Sequence, residues 1–198
     1  DVQVVEEYAY KAEAVGLEPA TTYYYQVGSE EGGLSEVGTF VTAAGESAPF
    51  SFLHYTDTQN AFWNQHLVDE VAFAVDTIEK MLVTDPEAAF VLHTGDIVEI
   101  AEVEDEWVDL FDNSRESFMK TTIAPVSGNH DEYGLSWDER FTEKWSDHFN
   151  VPAEGPVDGG SYYSFDYNNV HFIVLNTNDY KNEENKAIGE DQLEWLRW

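Results

Sequence analysis

Three apolar runs in this chain end in the same way, and that repetition restricts its fold more than any other feature. Residues 50–55, 88–94 and 122–127 each read as a short strand. Each breaks at a small polar turn: Thr56-Asp57-Thr58-Gln59, then Gly95-Asp96, then Gly128-Asn129-His130-Asp131. Between the runs the periodicity is helical. Leu67, Val71, Val75, Ile78 and Leu82 stripe residues 64–83, and Val103, Trp107, Leu110, Ser114 and Phe118 stripe residues 103–119. Strands alternating with helices predict an α/β layered domain. In open α/β sheets the loops beyond the carboxyl ends of the strands converge on one crevice. Acid and amide groups delivered to that rim suit hard divalent cations, which prefer oxygen and imidazole. Gly95 and Gly128 fit this picture, because a residue without Cβ lets the backbone turn sharply just before the ligand.

Further along, Trp137, Phe141, Trp145 and Phe149 predict a third helix. Residues 161–167 and 170–176 predict a hairpin across Asn168-Asn169, and a last helix opens at 190–195. The first 45 residues differ, with short candidate strands at 2–5, 8–15, 23–27 and 38–42 separated by turn signals. Here Leu17-x-Pro19-x-Thr21-Thr22-Tyr23-x-Tyr25-x-Val27 resembles the penultimate strand of fibronectin type III domains. That resemblance makes Tyr23 the candidate for the tyrosine corner, a hydroxyl tied to the backbone upstream. Such a sandwich needs about seven strands and about four are visible, so the module is expected to be partial. Residues 43–49 read as a linker. The expected organisation is a fibronectin III-like module over 1–45 and an α/β domain over 50–198.

Composition narrows the partners. The 40 acidic residues outnumber 9 basic ones, for a net charge of −31. Such a surface repels nucleic-acid phosphates and anionic membranes, and its ordinary role is solubility. No apolar run approaches the ~20 residues that span a bilayer, so no membrane insertion is expected. Cysteine is absent, which excludes disulfides, thiolate metal sites and a cysteine nucleophile. The chain begins at Asp1 without Met, and is expected to be a fragment or a processed form.

Asp57-x-Gln59, Gly95-Asp96 and Gly128-Asn129-His130-Asp131 resemble, in this order, the first three blocks of the calcineurin-like metallophosphoesterases. The module in front resembles that of purple acid phosphatases. The implied fold is an α/β layered metallophosphoesterase β-sandwich flanked by helices, preceded by the partial all-β module. The resemblance implies metal-dependent hydrolysis of phosphate esters, of acid phosphatase or phosphodiesterase type, by a hydroxide activated between two metal ions (Fe, Zn, Mn or Mg). By the same resemblance Asp96 bridges both ions, Asp57 and Gln59 hold the first and Asn129 the second, while His130 faces the phosphoryl group without ligating metal. It implies a small phosphorylated substrate, and an extracellular or cell-envelope location.

Two departures stand out. Gln59 occupies the place of a family histidine, which lowers the expected affinity for the first ion. Glu99 occupies the place of the purple acid phosphatase tyrosine, so no tyrosine-to-iron charge-transfer band is expected. Glu99 reads either as an orienting partner of His130 or as a solvated helix-start acid beside Glu102 and Glu104. His54, His66, His93, His148 and His171 read as core, rim or helix residues. No histidine follows His171, so the family's last three histidine ligands are missing, and the fragment is expected to bind metal poorly and be close to inactive alone. The alternative is a non-catalytic cell-surface binding or adhesion protein with a decayed phosphatase-like domain. A nuclease is disfavoured, because the chain has no basic track.

Overall fold

The computed structural model describes residues 9–61, 70–136, 142–152, 162–178 and 188–197. Expectations that fall on residues 2–5, on the start of the first helix (with His66 and Leu67) and on Trp137 and Phe141 lie outside these.

The centre is a parallel sheet in the order β5 (Leu53–Tyr55), β6 (Val91–His93), β7 (Ile123–Pro125). Parallel neighbours require crossovers. These run through α1 (Glu70–Thr84) and through α2 (Glu104–Asn113) with α3 (Arg115–Phe118). The single helix expected over 103–119 is thus broken at Ser114, which sits at φ −96, ψ 8 between the two. This conformation lies outside the helical well, and Ser114 is buried where it turns. Pro125 is tolerated because, among the described residues, β7 lies at the sheet edge and no further strand needs its missing N–H. Its carbonyl accepts the Tyr163 hydroxyl at 2.8 Å.

The strand segments are shorter than the apolar runs: they end at Tyr55, His93 and Pro125, against expected ends at 55, 94 and 127. The core clusters Val71, Ala74, Ile97, Val98, Trp107, Leu110, Trp145 and Phe149 under α1, α2 and α4 (Thr142–His148). The hairpin β8 (Tyr163–Tyr167) and β9 (Val170–Val174) forms as expected, with Asn168 left-handed at φ 51 in its turn. Its aromatics pack on the sheet: Phe165 stacks on Phe172 at 4.9 Å, and Phe90 meets Phe172 edge-on at 5.4 Å. A final helix, α5, covers Glu190–Leu196.

Ahead of this domain, β1 (Thr22–Tyr25) pairs antiparallel with β4 (Gly38–Val41), and β2 (Gly28–Ser29) with β3 (Gly33–Leu34). The Tyr23 hydroxyl accepts the Glu18 N–H at 2.9 Å, the upstream backbone tie expected of it. Residues 9–15, expected as strand, carry no ladder; they are exposed and held instead by Lys11 donating to the Ser146 and Phe149 carbonyls. The Met119 carbonyl accepts the Thr39 N–H at 2.8 Å and the Tyr25 hydroxyl at 3.3 Å, joining the module to the end of α3. Residues 43–49 are no loose linker: Asn168 accepts the Ala44 N–H and donates to the Ala48 carbonyl. Among the described residues no helix is long and apolar enough to cross a membrane.

Candidate functional site

The three polar turns meet at the carboxyl ends of β5, β6 and β7, and they interlock through their backbones. Asp57 and Gln59 donate their N–H groups to the carbonyls of Gly95 and Asp96, at 3.0 and 2.9 Å. Asp57 (φ 55), Gln59 (φ 38), Gly95 (φ 106) and Asp96 (φ 54) are all left-handed. For the three non-glycine residues this is a sparsely populated conformation, which persists only where surrounding contacts over-determine it. Gly95 and Gly128 approach so closely that a Cβ on Gly95 would lie 2.6 Å from the Gly128 Cα, and one on Gly128 would fall on the Asp96 amide nitrogen and Oδ1. Both glycines are therefore required by space.

Two buried side chains lock this arrangement. The Asp131 carboxylate accepts the N–H groups of Ile97 at 2.7 Å, Val98 at 3.2 Å and Gly128 at 2.9 Å, bridging the second turn to the third. Burial pushes its pKa up to about 7, against those three N–H bonds, which favour the ionised form. His93 takes the Gly95 N–H on Nδ1 at 3.2 Å, so its proton is on Nε2, 3.0 Å from the Thr58 hydroxyl. That hydroxyl donates onward to the Ile97 carbonyl at 2.9 Å. Burial lowers the His93 pKa to about 3, with nearby Asp57 opposing, so the ring is neutral.

Asp57, Asp96 and Asn129 line one cavity of about 320 Å³, together with Thr177 and Asn178 from the turn after β9. Asp57 Oδ2 accepts the Thr56 hydroxyl at 2.6 Å, and Asp96 Oδ1 accepts the His130 N–H at 3.0 Å. Gln59 and Glu99 do not line this cavity but a neighbouring one of about 370 Å³ that shares Asp57. The Gln59 amide nitrogen donates to Glu99 Oε2 at 3.3 Å. Glu99 is no solvated helix-start acid: its side chain is 18% exposed, and Oε2 lies 3.4 Å from His130 Nδ1. That nitrogen is also 2.8 Å from the Glu99 carbonyl, an acceptor only, so it carries a proton and the lone pair of a neutral ring is on Nε2. Burial raises the Glu99 pKa above the ordinary range; His130 opposes the rise, and Glu70 and Asp96 add to it.

The donor set suits a hard cation in part. Two carboxylate residues and an amide residue line one cavity, and a Cβ on either glycine there would crowd the turns that carry them. Among the described residues no three His, Asp or Glu side chains converge as ligands of one ion. Of the remaining histidines, His54 meets the Thr94 hydroxyl, His148 stacks on Trp107 beside Glu104, and His171 pairs with Asp166. Sequence reasoning gave no role to Asp131, Thr177 or Asn178. A signal existed for the last two: the run ending at Leu175 breaks at Asn176-Thr177-Asn178 as the three others break.

The chain belongs to the calcineurin-like phosphoesterases: the profile of that family, "Calcineurin-like phosphoesterase", matches residues 50–197. A second, "Purple acid Phosphatase, N-terminal domain", matches residues 2–42. Among curated relatives, "Probable inactive purple acid phosphatase 9" of Arabidopsis thaliana is 26% identical over 192 residues, covering 81% of this chain and 29% of that protein. Among solved structures, a purple acid phosphatase isolated from yellow lupin (Lupinus luteus) seeds superposes with a TM-score of 0.70 at 17% identity, covering 91% of this chain and 34% of that one. The chain therefore spans about a third of the length of these relatives.

Proposed function

We propose that the chain carries the first part of a metal-dependent phosphoesterase site acting on small phosphorylated substrates, as an acid phosphatase or phosphodiesterase. The observation that carries this reading is the cavity shared by Asp57, Asp96 and Asn129 at the ends of three parallel strands. In it, Asp96 would contact both ions of a pair, Asp57 the first and Asn129 the second through its carbonyl. Gln59 would add its amide oxygen to the first, its amide nitrogen being the atom that bonds Glu99. When bound, two ions supply Lewis-acid charge and a water of lowered pKa. The chain's own residues do the rest. His130, its Nδ1 proton held toward Glu99, would act through Nε2: once that nitrogen too is protonated, the imidazolium can stabilise a phosphoryl oxygen or give the proton to the leaving oxygen. Glu99 orients that ring, and Asp131 with His93 holds the turns in place. Fe, Zn, Mn and Mg all accept such donors. The family supports an extracellular or cell-envelope location.

The test is divalent-ion binding together with turnover of an aryl phosphate by the protein as its gene encodes it. Asp96→Asn is expected to lose both. His130→Ala is expected to keep the ions while kcat falls about 10²-fold or more. A folded protein that binds no divalent ion and turns over no ester would sink the proposal. That outcome would favour a second reading, a binding protein on a phosphatase scaffold, which draws support from Gln59 facing Glu99 and from the relative whose name includes "probable inactive".

A further inference from the structure

Besides Asp57 and Asp96, two turns line the site cavity: the turn after β7, with Ser127, Gly128 and Asn129, and the turn after β9, with Leu175, Thr177 and Asn178. The ladder of β9 ends at the Tyr163–Val174 pair, so the backbone groups of Asn176 need partners elsewhere. Gln192 of α5 supplies both. Its Oε1 accepts the Asn176 N–H and its Nε2 donates to the Asn176 carbonyl, each at 2.9 Å. The Asn176 side chain then links the turn after β9 to Glu132, which follows the turn after β7. Its Oδ1 accepts the Asn178 N–H at 2.7 Å, and its Nδ2 donates to Glu132 Oε1 at 2.7 Å. The same Glu132 oxygen accepts the Ser127 hydroxyl at 2.9 Å, and Asn178 reaches the Ser127 carbonyl at 3.4 Å.

We infer that Gln192 and Asn176 are positioning residues that, acting through Glu132, set the width of the site cavity and so the geometry at which Asn129 faces Asp57 and Asp96. Gln192 and Glu132 are fully buried, Ser127 and Asn176 nearly so. Buried polar groups are costly unless their directional bonds are made. Apolar side chains of similar size would dock α5 as well, but they would not fix the two turns against each other. The inference rests on the reading of the cavity as a metal and phosphoryl site.

Gln192→Met keeps the volume and removes both bonds. Ile78→Val, in the separate cluster of Tyr55, Ile78 and Val91, serves as a control that loosens the core away from the cavity. Amide chemical shifts and hydrogen exchange at Gly128, Asn129 and Asn178 are measured on the full chain, with its affinity for Mn²⁺ alone. Gln192→Met is expected to change the signals at these amides, leave Asp57 and Gln59 little affected, and weaken Mn²⁺ binding about tenfold. Ile78→Val is expected to do neither. Gln192→Glu, which keeps the acceptor for the Asn176 N–H, is expected to fall between. Changes confined to α5 and residues 174–176 overturn the inference. If Gln192→Met does not fold, Asn176→Ala removes the link to Glu132 while leaving the Gln192 bonds to the backbone of residue 176, and unchanged amides at Gly128 and Asn129 overturn it equally. A parent chain that binds no Mn²⁺ counts against the phosphoesterase reading alone, because the amide signals still decide the positioning.

Discussion

The module and the three turns of the site are both built from short segments, yet they are held together differently. In the module, β1 and β4 form a two-stranded ladder whose main side-chain support is Tyr23 stacked on Phe40 at 5.6 Å. Tyr24, Val27, Leu34 and Val41 are exposed, and each residue makes mostly local bonds. In the site, each turn takes its shape from another. Asp57 and Gln59 lean on Gly95 and Asp96, Asp96 on Gly128 and His130, and both later turns on Asp131. Local ladders tolerate change residue by residue. Interlocked backbones do not, because each turn depends on hydrogen bonds or close approach to another.

Substitutions can break this contrast. The largest effect is expected from Gly128→Ala, whose Cβ would fall on Asp96; urea unfolding should show a loss of about 3 kcal/mol, at the upper end for overpacking, with divalent-ion binding abolished. Next comes the pH dependence of His93. Its pKa is about 6.5 unfolded and about 3 folded. The unfolded chain therefore binds a proton that the native one refuses, and the contribution, complete above pH 6.5, is lost as pH falls toward 3. Between pH 7 and pH 5 the unaltered chain should lose about 2 kcal/mol more stability than His93→Gln; equal losses would show that the ring is not held neutral.

In the module, Tyr23→Phe leaves the Glu18 N–H to water and should cost about 0.5–1 kcal/mol by the same unfolding assay. Gly32→Ala would meet only the movable Ser29 hydroxyl, at 3.0 Å, and should change stability by less than about 0.5 kcal/mol. A module substitution as costly as Gly128→Ala would erase the contrast.

Much of the α/β domain was legible because its signals are local. The strand-then-turn pattern marked the ends of β5, β6 and β7, and Asn168-Asn169 marked the hairpin. The break of the second helix at Ser114 was not legible, since Ser114 sits in register with Trp107 and Leu110, and only packing shows the chain turning there. The helical stripe told which face is buried, not where the hydrogen-bond ladder stops. The strand expected over 8–15 failed for the opposite reason: its side chains alternate suitably, but nothing described pairs with it.

By itself the sequence determined the order of elements, the family and the chemical types at the strand ends, because these depend on periodicity, turn chemistry and short motifs. Tertiary structure alone decided the company those side chains keep. Asp57, Asp96 and Asn129 share a cavity, Gln59 turns to Glu99, and Asp131 and Gln192 hold turns distant from them in sequence. The reason is physical: a buried donor or acceptor must find its partner in space, and a partner dozens of residues away leaves no spacing in the sequence from which to read it.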